Sequence, residues 1–397
     1  MRTLVLFTRD LRLHDHPALA EAAHIGEVLP LFVLDPRLLR RSPNRSSFLV
    51  QTLQDLRAAL SSRGAPLVIR RGDTAAVTIA LARRHHCDAI HITSDVTTVA
   101  ARRAETLQAS GIAVRTFAGN EVIAPGEVAP VGEDAYRVFT PYLRAWERAS
   151  WRPPAPTPRR ILPVVSDHGR LPAPVRATAS RVPTGGERAA RRAMRAFFRR
   201  GLDRYADQRD RLDLDPTSHL SAYLRFGCVS PLELATLASE RDGDAFVRQL
   251  AWRDFFRQLV GADPRRTRDD LRPGRAPRWR QDPAAFERWT RGATGVDLVD
   301  AAMRQLLEEG WMPNRARLVA ASYLTRTLEL DWRLGAAHLD RHLVDGDPAS
   351  NIGNWQWVAG TGANPRRGTA LNIDRQARRF DPGGEYVARY QRRSTAR

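Results

Sequence analysis

Short β-branched apolar runs alternate with helical stretches over residues 1 to 125, and nothing like them follows residue 187. Thr3–Phe7, Val28–Leu34, Leu67–Ile69, Ala89–Ile92 and Val114–Phe117 read as strands. Ser46–Leu60, Thr74–His86 and Val99–Ala109 carry apolar positions three or four apart and read as helices. This alternation predicts an α/β domain over 1–125 with a parallel five-stranded sheet, Rossmann-like in plan. No Gly-x-Gly-x-x-Gly follows the first strand, so the standard dinucleotide fingerprint is missing.

Residues 126–186 change character, with Pro153-Pro154-Ala155-Pro156, Pro172-Ala173-Pro174 and little apolar periodicity, and read as a connector. Inside it Tyr136, Phe139, Tyr142 and Trp146 have helical spacing and predict a helix packed on a neighbour. From 187 to 397 strand signals vanish. Leu298, Val299, Ala302, Met303, Leu306 and Leu307 form an apolar helix stripe ended by Gly310, which predicts an all-α second domain.

Composition narrows the chemistry. The net charge is +19, and all 63 basic residues are Arg. Such an excess favours an anionic partner, nucleic acid first. Without Lys there is no Schiff-base, phosphate-loop or nucleophilic lysine. Two cysteines, Cys87 and Cys228, exclude a disulfide framework and a four-cysteine iron–sulfur cluster. The N-terminus enters a strand directly, and no run of 18 apolar residues occurs, so a soluble cytoplasmic protein without a membrane segment is expected.

Four stretches of the second half concentrate chemistry. Tyr205, Arg209 and Asp210 precede Thr217-Ser218-His219-Leu220-Ser221, whose hydroxyls and free backbone N–H groups at a helix start suit either a diphosphate or plain capping. Gln249-Leu250-Ala251-Trp252-Arg253 mixes an amide, an indole and a guanidinium on one helix. Trp311-Met312-Pro313-Asn314-Arg315-Ala316-Arg317 opens another. The last, Asp345-Gly346-Asp347-Pro348-Ala349-Ser350-Asn351-Ile352-Gly353-Asn354-Trp355-Gln356-Trp357, suits a flat, polar-edged ring system beside redox-competent indoles. A calcium loop starting at Asp345 would need Gly at Ser350 and a bidentate acid at Gln356, so no metal site is expected.

Together these stretches resemble the photolyase and cryptochrome family over nearly the whole chain, most closely a bacterial class I photolyase of cyclobutane dimers. Phe7-Thr8-Arg9-Asp10-Leu11-Arg12 followed by Asp15-His16-Pro17-Ala18-Leu19 is similar to the family's opening, with Thr8 where a second Arg is usual. The resemblance implies light-driven repair of pyrimidine dimers by an electron from reduced flavin adenine dinucleotide (FAD). It implies UV-damaged DNA as partner and a monomer. It places Tyr205, Thr217, Ser218, His219, Leu220, Ser221, Arg317, Asp345, Gly346 and Asp347 around FAD, and Asn351 at the flavin N5. Trp355, Trp332 and Trp279 match a tryptophan electron relay. Trp252 and Trp357 match indoles that cradle a flipped-out lesion, and Arg209, Gln249, Arg253, Asn314 and Arg315 match contacts to it.

Departures sharpen the expectation. Gln249 stands where Glu is usual, and an amide can hydrogen-bond a pyrimidine but not transfer a proton to it. Pro313 and Leu318 replace a common His and Met. Ser350–Trp355 and Val358-Ala359-Gly360 resemble the single-strand-specific DASH branch, which commonly has Tyr at the place of Trp357. A light receptor without repair is the other alternative, disfavoured by the retained indoles and the absence of a long tail after Tyr390. The acidic contact of folate-binding relatives is absent at Ala101, which favours a deazaflavin over folate as a second, antenna chromophore, or no second chromophore at all.

Overall fold

The computed structural model describes residues 1–273, 277–363 and 370–391. The expected five strands are present: β1 Arg2–Phe7, β2 Glu27–Leu34, β3 Val68–Arg71, β4 Ala89–Thr93 and β5 Ala113–Phe117, all parallel, in the order 3-2-1-4-5. The order reverses beside β1, so the crevice at the carboxyl ends opens where the loop after β1 leaves the sheet. A sixth strand, β6 Leu162–Pro163, comes from the connector and pairs with Glu27 and Val28, beside the part of β2 that β3 leaves free.

Helix starts follow capping chemistry. Asp73 accepts from Ala76 N to start Thr74–Arg84, and Thr97 from Ala100 N to start Thr98–Gln108. The helix expected from Ser46 begins earlier, at Pro43, because Ser42 caps it and Pro43 is preorganised for the first turn. In the helical domain, Asp297–Glu309 ends at Gly310 (φ 62°), and five of the six stripe residues are buried. Leu307 instead faces solvent, 36 % exposed, because it falls outside the arc that packs.

The connector is embedded in the core rather than spanning freely. Its Phe139–Arg148 helix buries Phe139, Tyr142, Leu143 and Trp146. Trp146 Nε1 donates to Asp254 Oδ2 at 3.1 Å, and Phe139 lies flat on Trp252, centroids 3.6 Å apart.

The loop after β1 fastens the two domains. Arg12 is fully buried and spends its guanidinium on the carbonyls of His14, Asp15, Gly119 and Gly227. Gly227 (φ 69°) admits no side chain, since a Cβ there would lie 1.9 Å from Arg9 O. Asp15 accepts from Arg152 and Ser230, and Arg9 pairs with Asp347. Arg257, also buried, holds Glu121, Asp95 (2.7 Å) and Asp347 (3.6 Å). Burial alone would raise the Asp347 pKa, but Arg9 and Arg257 overcome it and hold the carboxyl well below its usual range.

Candidate functional site

The helix Pro348–Ala359 is the spine of the site. Asp347 caps it, accepting from Ser350 N at 3.0 Å, while its other oxygen takes Arg9. The Asp347 carboxylate is therefore committed to structure, and Asp345, two residues earlier, lines the cleft beside it. Asp345 Oδ2 accepts from Arg317 Nη2 at 2.7 Å, and Oδ1 is buried without a hydrogen-bond partner. Arg317 is itself aimed by a bond from Nε to Met312 O. Arg317, Asp345, Gly346, Asp347, Asn351 and Trp355 line one cleft. Asn351 Nδ2 donates to Ala336 O at 3.1 Å, which leaves its side-chain oxygen as an acceptor.

The Thr217–Ser221 loop reaches this cleft through Trp311, which donates to Ser221 Oγ and precedes Met312. Two non-glycine residues have positive φ here, Asp215 (47°) just before the loop and His219 (51°) within it. They are joined by a 2.9 Å bond, and the His219 ring rests on Trp311. Backbone strain of about 1–3 kcal/mol per residue persists where surroundings enforce it, commonly at ligand sites. Ser218 Oγ accepts from Leu220 N, and Leu220 is buried. Thr217 Oγ1 is buried with no hydrogen-bond partner. The Tyr205 ring packs edge-on to Phe197 and Phe246, and burial pushes its hydroxyl up to about 12. Two buried oxygens, Thr217 Oγ1 and Asp345 Oδ1, thus await donors; a flavin nucleotide has hydroxyl and ring N–H groups to supply them.

Trp355 (2 % exposed) and Trp332 (0 %) are both buried. Helix Trp332–His342 meets the Trp355 ring at Gly335, where a Cβ would lie 2.2 Å from Trp355 Cη2. Only glycine allows that approach. Trp279 is half-buried against the same core. Trp289, which sequence reasoning passed over, packs edge-on to Trp355 at 6.2 Å.

On the other side, Trp252 and Trp357 meet edge to face at 5.3 Å, and Trp357 is 36 % exposed. Gln249 precedes Trp252 by one turn of the Asp244–Ala262 helix, its Nε2 3.4 Å from Ala245 O. Asn314 is exposed at the start of Asn314–Ser322. Arg315 beside it bonds Asp210 and Gln376 and lies over Phe380. Arg209 ends the Leu202–Gln208 helix that carries Tyr205. Arg253, one residue past Trp252 and so about 100° around the helix, bonds Asn120 O at 2.6 Å at the domain junction. The arginines that do most at that junction, Arg9, Arg12 and Arg257, were not singled out as site residues. A signal existed for Arg257, a lone charge inside the apolar run Phe255–Val260.

A second, larger cavity of about 870 Å³ lies between the carboxyl ends of the strands and the helical domain. Phe32 and Val33, Asp95–Val99, Arg103, Arg225, Arg257 and Asn351 line it. No metal-ligating cluster occurs among the described residues, and no helix among them is long and apolar enough to cross a membrane.

Comparison with known proteins agrees with this geometry. A family model described as the FAD binding domain of DNA photolyase matches residues 246–393, and one described as DNA photolyase matches residues 3–159. A deoxyribodipyrimidine photo-lyase of Streptomyces griseus is 44 % identical, over 97 % of this chain and 88 % of its own length. A cryptochrome DASH of Natronomonas pharaonis is 35 % identical, over 97 % and 88 %. Among solved structures, a bacterial class III photolyase from Agrobacterium tumefaciens superposes with a TM-score of 0.90 at 30 % identity, covering 98 % of this chain and 86 % of that one. An archaeal photolyase from Sulfolobus tokodaii, solved with two FAD molecules, gives 0.84 at 27 %, covering 98 % and 90 %. The parallel sheet, the helical half, the paired indoles and these matches together place the chain in the DNA photolyase family.

Proposed function

We infer that this chain is a deoxyribodipyrimidine photo-lyase, splitting cyclobutane pyrimidine dimers in UV-damaged DNA with blue light and FAD. The observation that carries the reading is the helix Pro348–Ala359, which presents Asn351 to the cleft of Asp345 and Trp357 to the indole corner. One short element thereby couples a cofactor site to a base-stacking site. Bound FAD, reduced and excited by blue light, supplies the electron that opens the dimer. Tyr205, Thr217–Ser221, Arg317, Asp345, Gly346, Asp347 and Asn351 hold it. Trp252 and Trp357 take the flipped-out lesion between apolar faces, where stacking returns about 1–3 kcal/mol per base. Gln249 bonds pyrimidine edges, while Arg209, Asn314 and Arg315 hold the lesion and its phosphates. Trp355, Trp332 and Trp279 relay electrons to oxidised flavin.

The 870 Å³ cavity suits a second chromophore. Exposed Leu38 and Val99 on its lining offer apolar cover, and its arginines favour an anionic tail. The absence of an acidic contact at Ala101 is what favours a deazaflavin over folate.

The test is direct. Purified protein should be coloured, heat should release FAD, and dimers in an irradiated oligonucleotide should disappear only under blue light. A colourless protein that flavin cannot reconstitute removes the cofactor reading. Negligible repair by fully reduced protein moves the function to light reception, and repair confined to single strands moves it to the DASH branch.

A further inference from the structure

We propose that Asp270 is the proton acceptor for Trp332 in the electron relay, a role that rests on the relay reading above. Trp332 is fully buried, and its Nε1 donates to Asp270 Oδ1 at 2.8 Å. Trp289, equally buried, donates instead to the carbonyl of Ala320, a far weaker base. The Asp270 side chain is only 10 % exposed, so its bond to the indole is shielded from competing water.

The surroundings are built to hold this pair. Gln356, between Trp355 and Trp357, accepts from Leu271 N (2.9 Å) and donates to the carbonyls of Arg266 (2.9 Å) and Asp269 (3.0 Å). It thereby bolts the 266–271 segment that carries Asp270 onto the spine helix. Arg333 lies over the Trp332 ring at 4.6 Å and also pairs with Asp270 at 3.3 Å. A fixed cation over the ring opposes positive charge on the indole. Oxidation of Trp332 therefore creates a strong N–H acid beside a cation that disfavours it and a carboxylate aligned to take the proton. A base within hydrogen-bond reach is the geometric requirement for proton transfer.

The step balances. Trp355 gives one electron to light-excited flavin, and Trp332 refills Trp355 with one of its own. The Nε1 proton then passes to Asp270 Oδ1, leaving a neutral indolyl radical and a neutral carboxylic acid. The electron can then return only together with that proton, which slows back-transfer and gives Trp279 or an added thiol time to restore Trp332 as Asp270 hands the proton back.

Transient absorption of FAD-loaded protein, in H₂O and D₂O, tests this with wild type, Asp270→Asn and Trp332→Phe. The wild-type protonated Trp radical should decay in an isotope-sensitive phase. Asp270→Asn, which keeps the shape, should lose that phase, and photoreduction should fall about tenfold, the scale of one hydrogen bond to a charged group. In flavin-free protein the Trp332 indole ¹H–¹⁵N signal should carry the downfield shift of a bond to a carboxylate, and Asp270→Asn should reduce it. Trp332→Phe without photoreduction alongside an Asp270→Asn protein that keeps wild-type kinetics and isotope effect overturns the proposal alone. Normal photoreduction by Trp332→Phe overturns the relay and the proposal with it. Should Asp270→Asn fail to fold, the absence of an isotope effect in wild type overturns it equally.

Discussion

The domain junction and the proposed flavin cleft are made from the same materials, arginine, aspartate and hydroxyls, with opposite results. At the junction Arg12 gives its donors to four carbonyls, and Arg257 sits among three carboxylates. Two junction atoms that lack a hydrogen bond, Arg257 Nη1 and Glu121 Oε2, still lie inside that ion-pair network. In the cleft Arg317 satisfies one oxygen of Asp345, and the other is left bare, as is Thr217 Oγ1. A buried polar atom without a partner costs free energy, so the first arrangement is structure and the second is a site awaiting a ligand.

The comparison breaks if the two regions respond alike to mutation. Arg257→Met should cost about 3–5 kcal/mol in denaturant unfolding, because buried Glu121 loses its cation and Asp95 and Asp347 are left with Arg9. Asp345→Asn in flavin-free protein should cost much less, and its loss should appear as released flavin. Equal costs in flavin-free protein would erase the distinction. In wild type, FAD at a hundred times its dissociation constant should raise stability by about 2.7 kcal/mol. Asp345→Asn should need far more FAD for the same gain, as a thermal shift series would read. At the outer face, Arg315→Ala should weaken binding to irradiated duplex by about 1–3 kcal/mol and flatten its salt dependence. Equal affinity for damaged and undamaged DNA at every salt concentration would mean no lesion pocket.

The smallest expected effect is a pH slope. Burial raises the Asp254 pKa to about 7, against partial relief from Arg253. Its folded value lies above its unfolded value, so its contribution is present in acid and is lost as pH rises from about 4 to about 7. Asp95 and Asp347 have the opposite sign: buried but overruled by arginine, they stabilise above about 4, and the benefit goes as pH falls. Asp254→Asn should flatten the neutral slope and leave the acid limb. A slope that survives this change belongs to another group.

The sheet was legible because β1 and β2, buried on both faces, show as nearly unbroken apolar runs, and every expected strand fell within two residues of its place. β6 was not, since two residues carry no periodicity. Asp345, Asn351 and the tryptophans were legible through the density of costly residues between 345 and 357. What stayed hidden depends on distant pairing. Nothing local shows that Asp347 turns to Arg9, 338 residues away, or that Arg253 bonds Asn120. Gln356 looked like part of the ring-binding run and proved to be a fastener for a loop some 85 residues earlier.

Phe139 changes what can be done with this molecule as an engineering part. Its ring floors the Trp252 indole, yet it belongs to the stretch that looks most like a dispensable tether. A catalytic half excised at Glu187, or a chimera joined there to another light-harvesting module, would leave that indole free to tilt. A usable splice must carry the 139–148 helix along with the helical half, and the natural cut lies before it, near the end of β5.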